Sequence, residues 1–396
     1  MKIYYEKYGC SLNQAETEFL VSSYVKNGNT LVENPESADL IIIGTCVVIK
    51  HTENHMISRI KHFYSMNKKI LVYGCLPAVY KNLLSDFNGI KTITPREIYP
   101  NDSFFIENYA TIPIAQGCTG HCTYCISKLA RGNLKSYPEE LIVSRVKEAV
   151  MKGIKEIRLT ALDTAAYGID LNSNLPSLLN KIDEIEGEFR VRIGMMEPAN
   201  TIKIIDDLIE SFKSEKIFKF FHIPVQSGDD KILKLMGRNY TSSDFVQIVE
   251  SIRENFTHYT LSTDIIVGFP GENESTFNST IEIVKKTRPD IMNITRFSPR
   301  EGTIAYSLKQ VKSSLAKEWS KKLTELHQKI SEENNSEMLG KKFKILLTEK
   351  GKRNYLGRTD GYRPVIVENG EIYRFYDVEI YSFTPFYLIG KILNQF

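Results

Sequence analysis

The six cysteines of this 396-residue chain fall into two sets with different spacing. Cys118, Cys122 and Cys125 lie within eight residues in IAQGCTGHCTYCISKLARG, spaced CxxxCxxC with Tyr124 immediately before the last. Cys10, Cys46 and Cys75 are spread through the first fifth, and none follows Cys125. So few cysteines in so long a chain do not make a disulfide scaffold, and reduced thiols point to metal binding or catalysis. A structural zinc site needs four ligands, and His121 is a candidate fourth, although it lies between the cysteines and would strain the loop. On a [4Fe–4S] cluster the same three thiolates leave one iron without a protein ligand, open to a small molecule.

The elements around them place both sets at strand ends. KIYYEKYG, LIIIGT and ILVYG are short apolar runs, each ending on a cysteine and separated by helical patterns from about Asn13 to Lys26 and through Ile57 and Ile60. They predict a small parallel βαβ unit. Ligands sit beyond the carboxyl ends of such strands, so Cys10, Cys46 and Cys75 can converge despite their separation. Asn101, Asp102 and Ser103 mark a boundary. ATIPIA, EIRLT, FRVRIGM, KFFHIPV, LSTDIIVG and IMNITRF then alternate with longer helices and predict a partial barrel of six βα units, the segment falling slightly short of the roughly 250 residues of an eight-unit barrel. A helix from about Ser314 to Met338, apolar along Leu315, Trp319, Leu323, Leu326 and Ile330, leads to KFKILLTEK, LGRTDGYRPVIV, EIYRFYDVEIYS and FYLIGKIL, a small all-β barrel. The expected fold class is α/β, with domains over 1–103, 104–335 and 336–396.

Hydrophobic residues at 42% and charged residues at 25% are ordinary for a soluble globular chain and argue against disorder. No window reaches the roughly 18 uninterrupted apolar residues of a membrane span, so a cytoplasmic protein without a membrane partner is expected. The net charge is only +3, and the residues from Ser336 onward carry all of it, with six lysines and four arginines against five glutamates and two aspartates. That stretch also holds 11 aromatics in 61 residues. Basic residues that track phosphates and rings that stack on unpaired bases suit loop RNA, although more than half of these rings are expected in the barrel core. Lys350, Lys352, Arg353, Arg358 and Arg363 lie around predicted turns and are the candidate RNA contacts.

With its aromatic, the CxxxCxxC segment resembles the radical S-adenosylmethionine (SAM) superfamily. YGCSLNQAETE, GTCVV and YGCLP look like the three cysteine segments of the methylthiotransferase N-terminal domain. LTALDTAAYG, RIGMMEP, HIPVQSGDDKILKLMGRNY, TDIIVGFPGE and TRFSPREGT follow in the family's order, and the C-terminal strands resemble a TRAM domain. The resemblance thus spans nearly the whole chain. It implies two [4Fe–4S] clusters, one on Cys118, Cys122 and Cys125 that cleaves SAM, the other on Cys10, Cys46 and Cys75 where sulfur for transfer is held. It also implies that a radical derived from one SAM activates the substrate carbon while another SAM methylates the sulfur. No Ser/His/Asp set or acid–base pair is needed for this, and none is evident. By the same resemblance Tyr124, Asp163, Thr164, Gln226, Arg238, Val267 and Phe297 surround SAM. Gly44 replaces the asparagine more usual before Thr45 and Cys46.

LTALDTAAYG and KLARGNLKSYP resemble the archaeal and eukaryotic branch that converts N6-threonylcarbamoyladenosine beside the tRNA anticodon to its 2-methylthio form. Leu162 and Ala165 depart from that branch's acidic or amide residue and glycine. The alternatives are isopentenyl-adenosine tRNA, a ribosomal-protein aspartate, or a non-catalytic zinc-containing RNA-binding protein. The implied partners are the tRNA anticodon loop and an electron-donor protein, with the chain acting as a monomer.

Overall fold

Strand Leu40–Thr45 reads LIIIGT because both of its faces are covered. Ile41 and Ile43 turn toward Ile60 and Phe63 of helix Lys50–Ser65, and Ile42 turns toward Leu20 and Val21 of helix Ser11–Lys26. This strand is central in a five-stranded parallel sheet, ordered Thr30–Leu31, Lys2–Lys7, Leu40–Thr45, Lys69–Gly74 and Lys91–Ile93. The computed structural model describes residues 1–85, 87–98 and 109–395. The expected boundary at 103–104 lies outside the described residues.

Helix Ser11–Lys26 has the sheet on one side and strand Ala110–Pro113 of the next layer on another. Covered from two directions, it has no single apolar stripe and buries Asn13, Glu16, Thr17 and Ser22 alongside Leu20 and Val21. The six strand candidates after residue 109 all form. Ala110–Pro113, Glu156–Thr160 and Arg190–Ile193 make one parallel three-stranded sheet, and Phe220–His222, Thr260–Val267 and Ile291–Arg296 make the other. The sheets are joined by backbone bonds such as Met196 N–H to His222 O at 2.8 Å, giving an open barrel of six strands in chain order. Helix Ser313–Ser336 closes its flank, with Trp319 stacked on Phe277 at a centroid distance of 4.9 Å.

The last strands form a closed five-stranded barrel around Ile345, Leu347, Val365, Val378 and Ile380. The segment LGRTDGYRPVIV, expected as one strand, is two antiparallel strands, Tyr355–Thr359 and Pro364–Val367. The chain reverses through Asp360 and Gly361, and Tyr362 takes a left-handed conformation at φ 64°. The Tyr362 ring lies 4.8 Å from Phe218 and 5.2 Å from Phe220, and its hydroxyl donates to Glu156 Oε1 at 2.6 Å. Glu156 and Phe220 are the first residues of their strands, so the small barrel docks on the end where the large barrel's strands begin.

Candidate functional site

Cys10 caps helix Ser11–Lys26, Cys46 follows strand Leu40–Thr45, and Cys75 opens helix Cys75–Val79 directly after strand Lys69–Gly74. Three parallel strands thus deliver three thiols to one edge of the sheet. Glycines permit the close approach. A Cβ on Gly9, at φ +96°, would lie 2.7 Å from Cys46 Cβ and 3.0 Å from its Sγ. One on Gly74, at φ +113°, would lie 2.4 Å from Thr45 O. Gly44 has a specific cause: a Cβ there would fall 2.1 Å from Thr17 Oγ1, so Thr17 fills the space that a larger residue would claim.

Burial pushes the Cys75 thiol up to about 12, partly offset by the Arg131 guanidinium, and Cys46 is likewise raised by burial. Cys75 is raised further by Cys10 and Cys46, which marks the trio as mutual neighbours. Thiols in such surroundings become thiolates only with a strong positive charge beside them, the role a metal cluster fills.

The second trio sits in a loop pinned from several directions. A Cβ on Gly117 would meet Asn133 O at 1.8 Å, Thr123 N–H bonds Met236 O at 2.9 Å, and Ala305 N–H bonds Thr123 O at 2.9 Å. Lys128 Nζ donates to Cys118 O, and Cys125 caps helix Ile126–Arg131. A Cβ on Gly120 would lie 3.3 Å from Cys118 Sγ and 3.6 Å from Cys122 Sγ, so two sulfurs converge on this small residue. Burial raises Cys118 to about 11, while the Gly120 N–H at 3.2 Å from its Sγ works the other way. His121 is exposed. The donor sets, three thiols on each side, fit iron–sulfur clusters with one iron left open.

A cavity of about 140 Å³ lies beside the second set, lined by Tyr124, Cys125, Ile266, Phe297 and Arg300, with Val48, two residues after Cys46, reaching it from the N-terminal domain. Arg300 ties the seam, donating to Glu53 Oε2 at 2.9 Å and to Val48 O at 2.6 Å. Val48 and Ile49 are apolar yet more than half exposed beside it.

Of the residues expected around SAM, Tyr124, Arg238 and Phe297 gather here. Arg238 Nη2 donates to Tyr124 Oη at 2.5 Å and Nη1 reaches Glu197 Oε1 at 3.5 Å. Burial opposes the Arg238 charge, but Tyr124, Tyr240, Cys122 and Glu197 together hold it protonated. Phe297 and Tyr124 both meet Phe269 edge to face. Gln226 is 7% exposed and left-handed at φ 67°, a strained state for glutamine of the kind that collects at functional sites.

Asp163 is engaged within the chain. Its carboxylate accepts from Ala165 N and Glu197 N at 3.1 and 2.9 Å and from Asn200 Nδ2 at 2.8 Å, and burial lifts it to about 6. Thr164 Oγ1 donates to Met195 O at 3.0 Å. Both therefore brace the loops after strands Glu156–Thr160 and Arg190–Ile193. Val267 is a correction: its side chain lies in the main core on the helix side, and Ile266 turns toward Tyr124, Phe269 and Phe297 instead. A strand's period of two makes a one-residue error a change of face. Asn200, which also reaches Thr119 Oγ1 at 3.2 Å, was missed, as were Glu16 and Arg131, whose partners lie far away in sequence.

Among the basic candidates of the small barrel, Lys350, Lys352 and Arg353 are exposed at one hairpin. Arg363 is not free for RNA, and Arg358 is half-buried. Arg358 stacks over Tyr362 at 4.7 Å, and Arg363 donates to Asn335 Oδ1 at 2.6 Å and to Asp290, inside the seam between the barrels. Among the described residues of the small barrel the exposed rings are Tyr381, Phe386 and Tyr387.

A family model described as Radical SAM superfamily matches residues 112–284, one described as Uncharacterized protein family UPF0004 matches 2–94, and one described as TRAM domain matches 336–393. The probable threonylcarbamoyladenosine tRNA methylthiotransferase of Archaeoglobus fulgidus is 42% identical, over 100% of this chain and 99% of its own length. The ribosomal protein uS12 methylthiotransferase RimO of Thermosipho melanesiensis is 33% identical over the whole of both chains. The radical S-adenosylmethionine methyltransferase TsrM of Kitasatospora setae, solved with cobalamin and a [4Fe-4S] cluster, shares the fold at a TM-score of 0.60 and 10% identity, over 77% of this chain and 76% of that one. Among the described residues no helix is long and apolar enough to cross a membrane. Full-length relatives at this identity, with a cysteine trio on each side of one seam, place the chain in the radical SAM methylthiotransferase family, enzymes that work with a [4Fe–4S] cluster and SAM.

Proposed function

We propose that this enzyme converts N6-threonylcarbamoyladenosine beside the anticodon of tRNA to its 2-methylthio derivative, using two [4Fe–4S] clusters. The observation that carries the reading is the cavity beside Cys125, which Val48, two residues after Cys46, also lines. Archaeal relatives named for that nucleoside support the choice of substrate, at 34% to 42% identity against 33% for the ribosomal-protein enzyme. When bound, the cluster on Cys118, Cys122 and Cys125 supplies the electron that cleaves SAM, and the one on Cys10, Cys46 and Cys75 holds the sulfur.

The chain's own residues bind and orient. Arg238, charged and directed at the cysteine loop, suits the SAM carboxylate. Gln226, Tyr124, Ile266 and Phe297 are candidate walls of the SAM site, while Asp163 and Thr164 act through the loops they brace. Lys350, Lys352 and Arg353 would follow phosphates, and Phe386 or Tyr387 would stack on bases. Both trios and the RNA-binding barrel belong to one chain, which suits a cytoplasmic monomer served by an electron-donor protein.

The deciding experiment is an anaerobic assay of iron-reconstituted protein with SAM, dithionite, sulfide and mixed tRNA, with nucleosides read by mass spectrometry. Methylthio on threonylcarbamoyladenosine alone is expected. Methylthio on isopentenyl-adenosine, or on a ribosomal protein supplied instead of tRNA, would overturn the substrate and keep the chemistry.

A further inference from the structure

Glu16 is fully buried, yet its carboxylate accepts four hydrogen bonds. Oε1 takes one from Arg131 Nη1 and one from Gln116 Nε2, both at 2.9 Å. Oε2 takes one from Arg131 Nη2 and one from Tyr73 Oη, both at 2.7 Å. Arg131 Nη2 also reaches Asn13 Oδ1 at 3.3 Å, and Asn13 Nδ2 donates to Tyr8 O at 2.7 Å. The side chains of Arg131 and Glu16 are 1% and 0% exposed.

The partners lie beside the cysteines of both trios. Asn13 and Glu16 are in the helix that Cys10 caps, and Tyr73 is two residues before Cys75. Gln116 is two residues before Cys118, and Arg131 ends the helix that Cys125 caps. One carboxylate therefore holds the flanks of two sites that otherwise belong to separate sheets. A buried ion pair is a poor device for stability alone, since an apolar pair of similar volume often serves as well. It does fix geometry: a bidentate arginine–carboxylate contact sets angle as well as distance, and a fully satisfied buried network is rigid. Transfer of a group between two sites depends on such fixity, because a misplacement of about 1 Å can cost on the order of 100-fold in rate.

We propose that the Glu16–Arg131 pair is a positioning device that sets the separation and orientation of the two cysteine trios, so that a substrate activated at one is within reach of the sulfur held at the other. The proposal rests on the reading that both trios carry clusters. Neither residue touches the reacting atoms. Loss of the pair should therefore uncouple SAM cleavage from transfer without abolishing cleavage.

The test uses full-length, anaerobically reconstituted protein as wild type, Arg131→Lys, Glu16→Gln and the double variant Glu16→Gln/Arg131→Met. Iron and sulfide are counted, the spin coupling between reduced clusters is read by EPR, and 5′-deoxyadenosine is measured against methylthio product. The expected result is about eight irons per chain in the wild type and in Arg131→Lys. In that variant the ratio of deoxyadenosine to product should rise on the order of tenfold, with a changed spin coupling. Arg131→Lys keeps the charge and a donor, so it reports on geometry even if the other variants fail to fold. A variant with full iron and the wild-type ratio and coupling overturns the proposal alone. A wild type with about four irons overturns the two-cluster reading and the proposal with it.

Discussion

Glu272 is the carboxylate whose charge the fold resists most plainly away from the cysteines. Burial raises it to about 7 against the hydrogen bonds from Gly268 and Phe269 N–H groups, with Gly268 N at 2.5 Å. A carboxylate with a raised folded pKa lends its stability below its unfolded value and loses it as pH rises through the folded one. Between roughly pH 5 and pH 8 the wild type should thus lose up to about 3 kcal/mol more than Glu272→Gln, which keeps the smaller loss due to Asp163. Anaerobic denaturant titrations at both pH values would show it, and parallel losses in the two proteins would refute it. Cys46→Ala should leave 5′-deoxyadenosine formation intact and stop methylthio transfer, whereas Cys122→Ala should abolish both. Product from the Cys46→Ala protein would break the division of labour between the trios. At this scale the cysteines were legible because their chemistry is fixed by type and spacing. Arg131 and Glu16 were not, because a buried pair 115 positions apart leaves no local pattern.

The strands and helices themselves were mostly readable. Period and punctuation located the six strands of the large barrel, since each is a short apolar run between amphipathic helices. Faces were harder: Val267 and Ile266 differ by one step, and only the packed helices decide which looks inward. The split of LGRTDGYRPVIV turned on a left-handed Tyr362, a conformation that tyrosine does not advertise. Close contact between elements yields a further prediction. Gly44→Ala should cost about 1–3 kcal/mol, because its methyl would meet Thr17 on the neighbouring helix. Adding Thr17→Ala should recover part of that loss, so the double variant should be more stable than the sum of the singles implies. Strict additivity in thermal unfolding would show that the two sites do not press on one another.

In the whole molecule, the charge count from Ser336 onward overstated what is available to RNA. Arg363 is committed to the joint between the barrels and Arg358 lies half-buried over Tyr362, and composition does not reveal which side of a barrel is covered. Lys350, Lys352 and Arg353 remain, and replacing all three with glutamate should weaken tRNA binding and flatten its salt dependence by up to about three units of slope. Filter binding across a salt series measures both, and an unchanged slope would move the RNA contact elsewhere. The docking of Tyr362 on Glu156 and Phe220 has a consequence for the shape of the substrate. The small barrel sits where the large barrel's strands begin, and Asp163, Glu197 and the cysteine loop lie where they end. Strands of about five residues, at about 3.3 Å each, put roughly 16 Å between those levels. A lone nucleoside is shorter than that height and a folded stem and loop is longer, so an RNA held by the small barrel would reach the cysteine loop only if it carried folded structure beside the modified base.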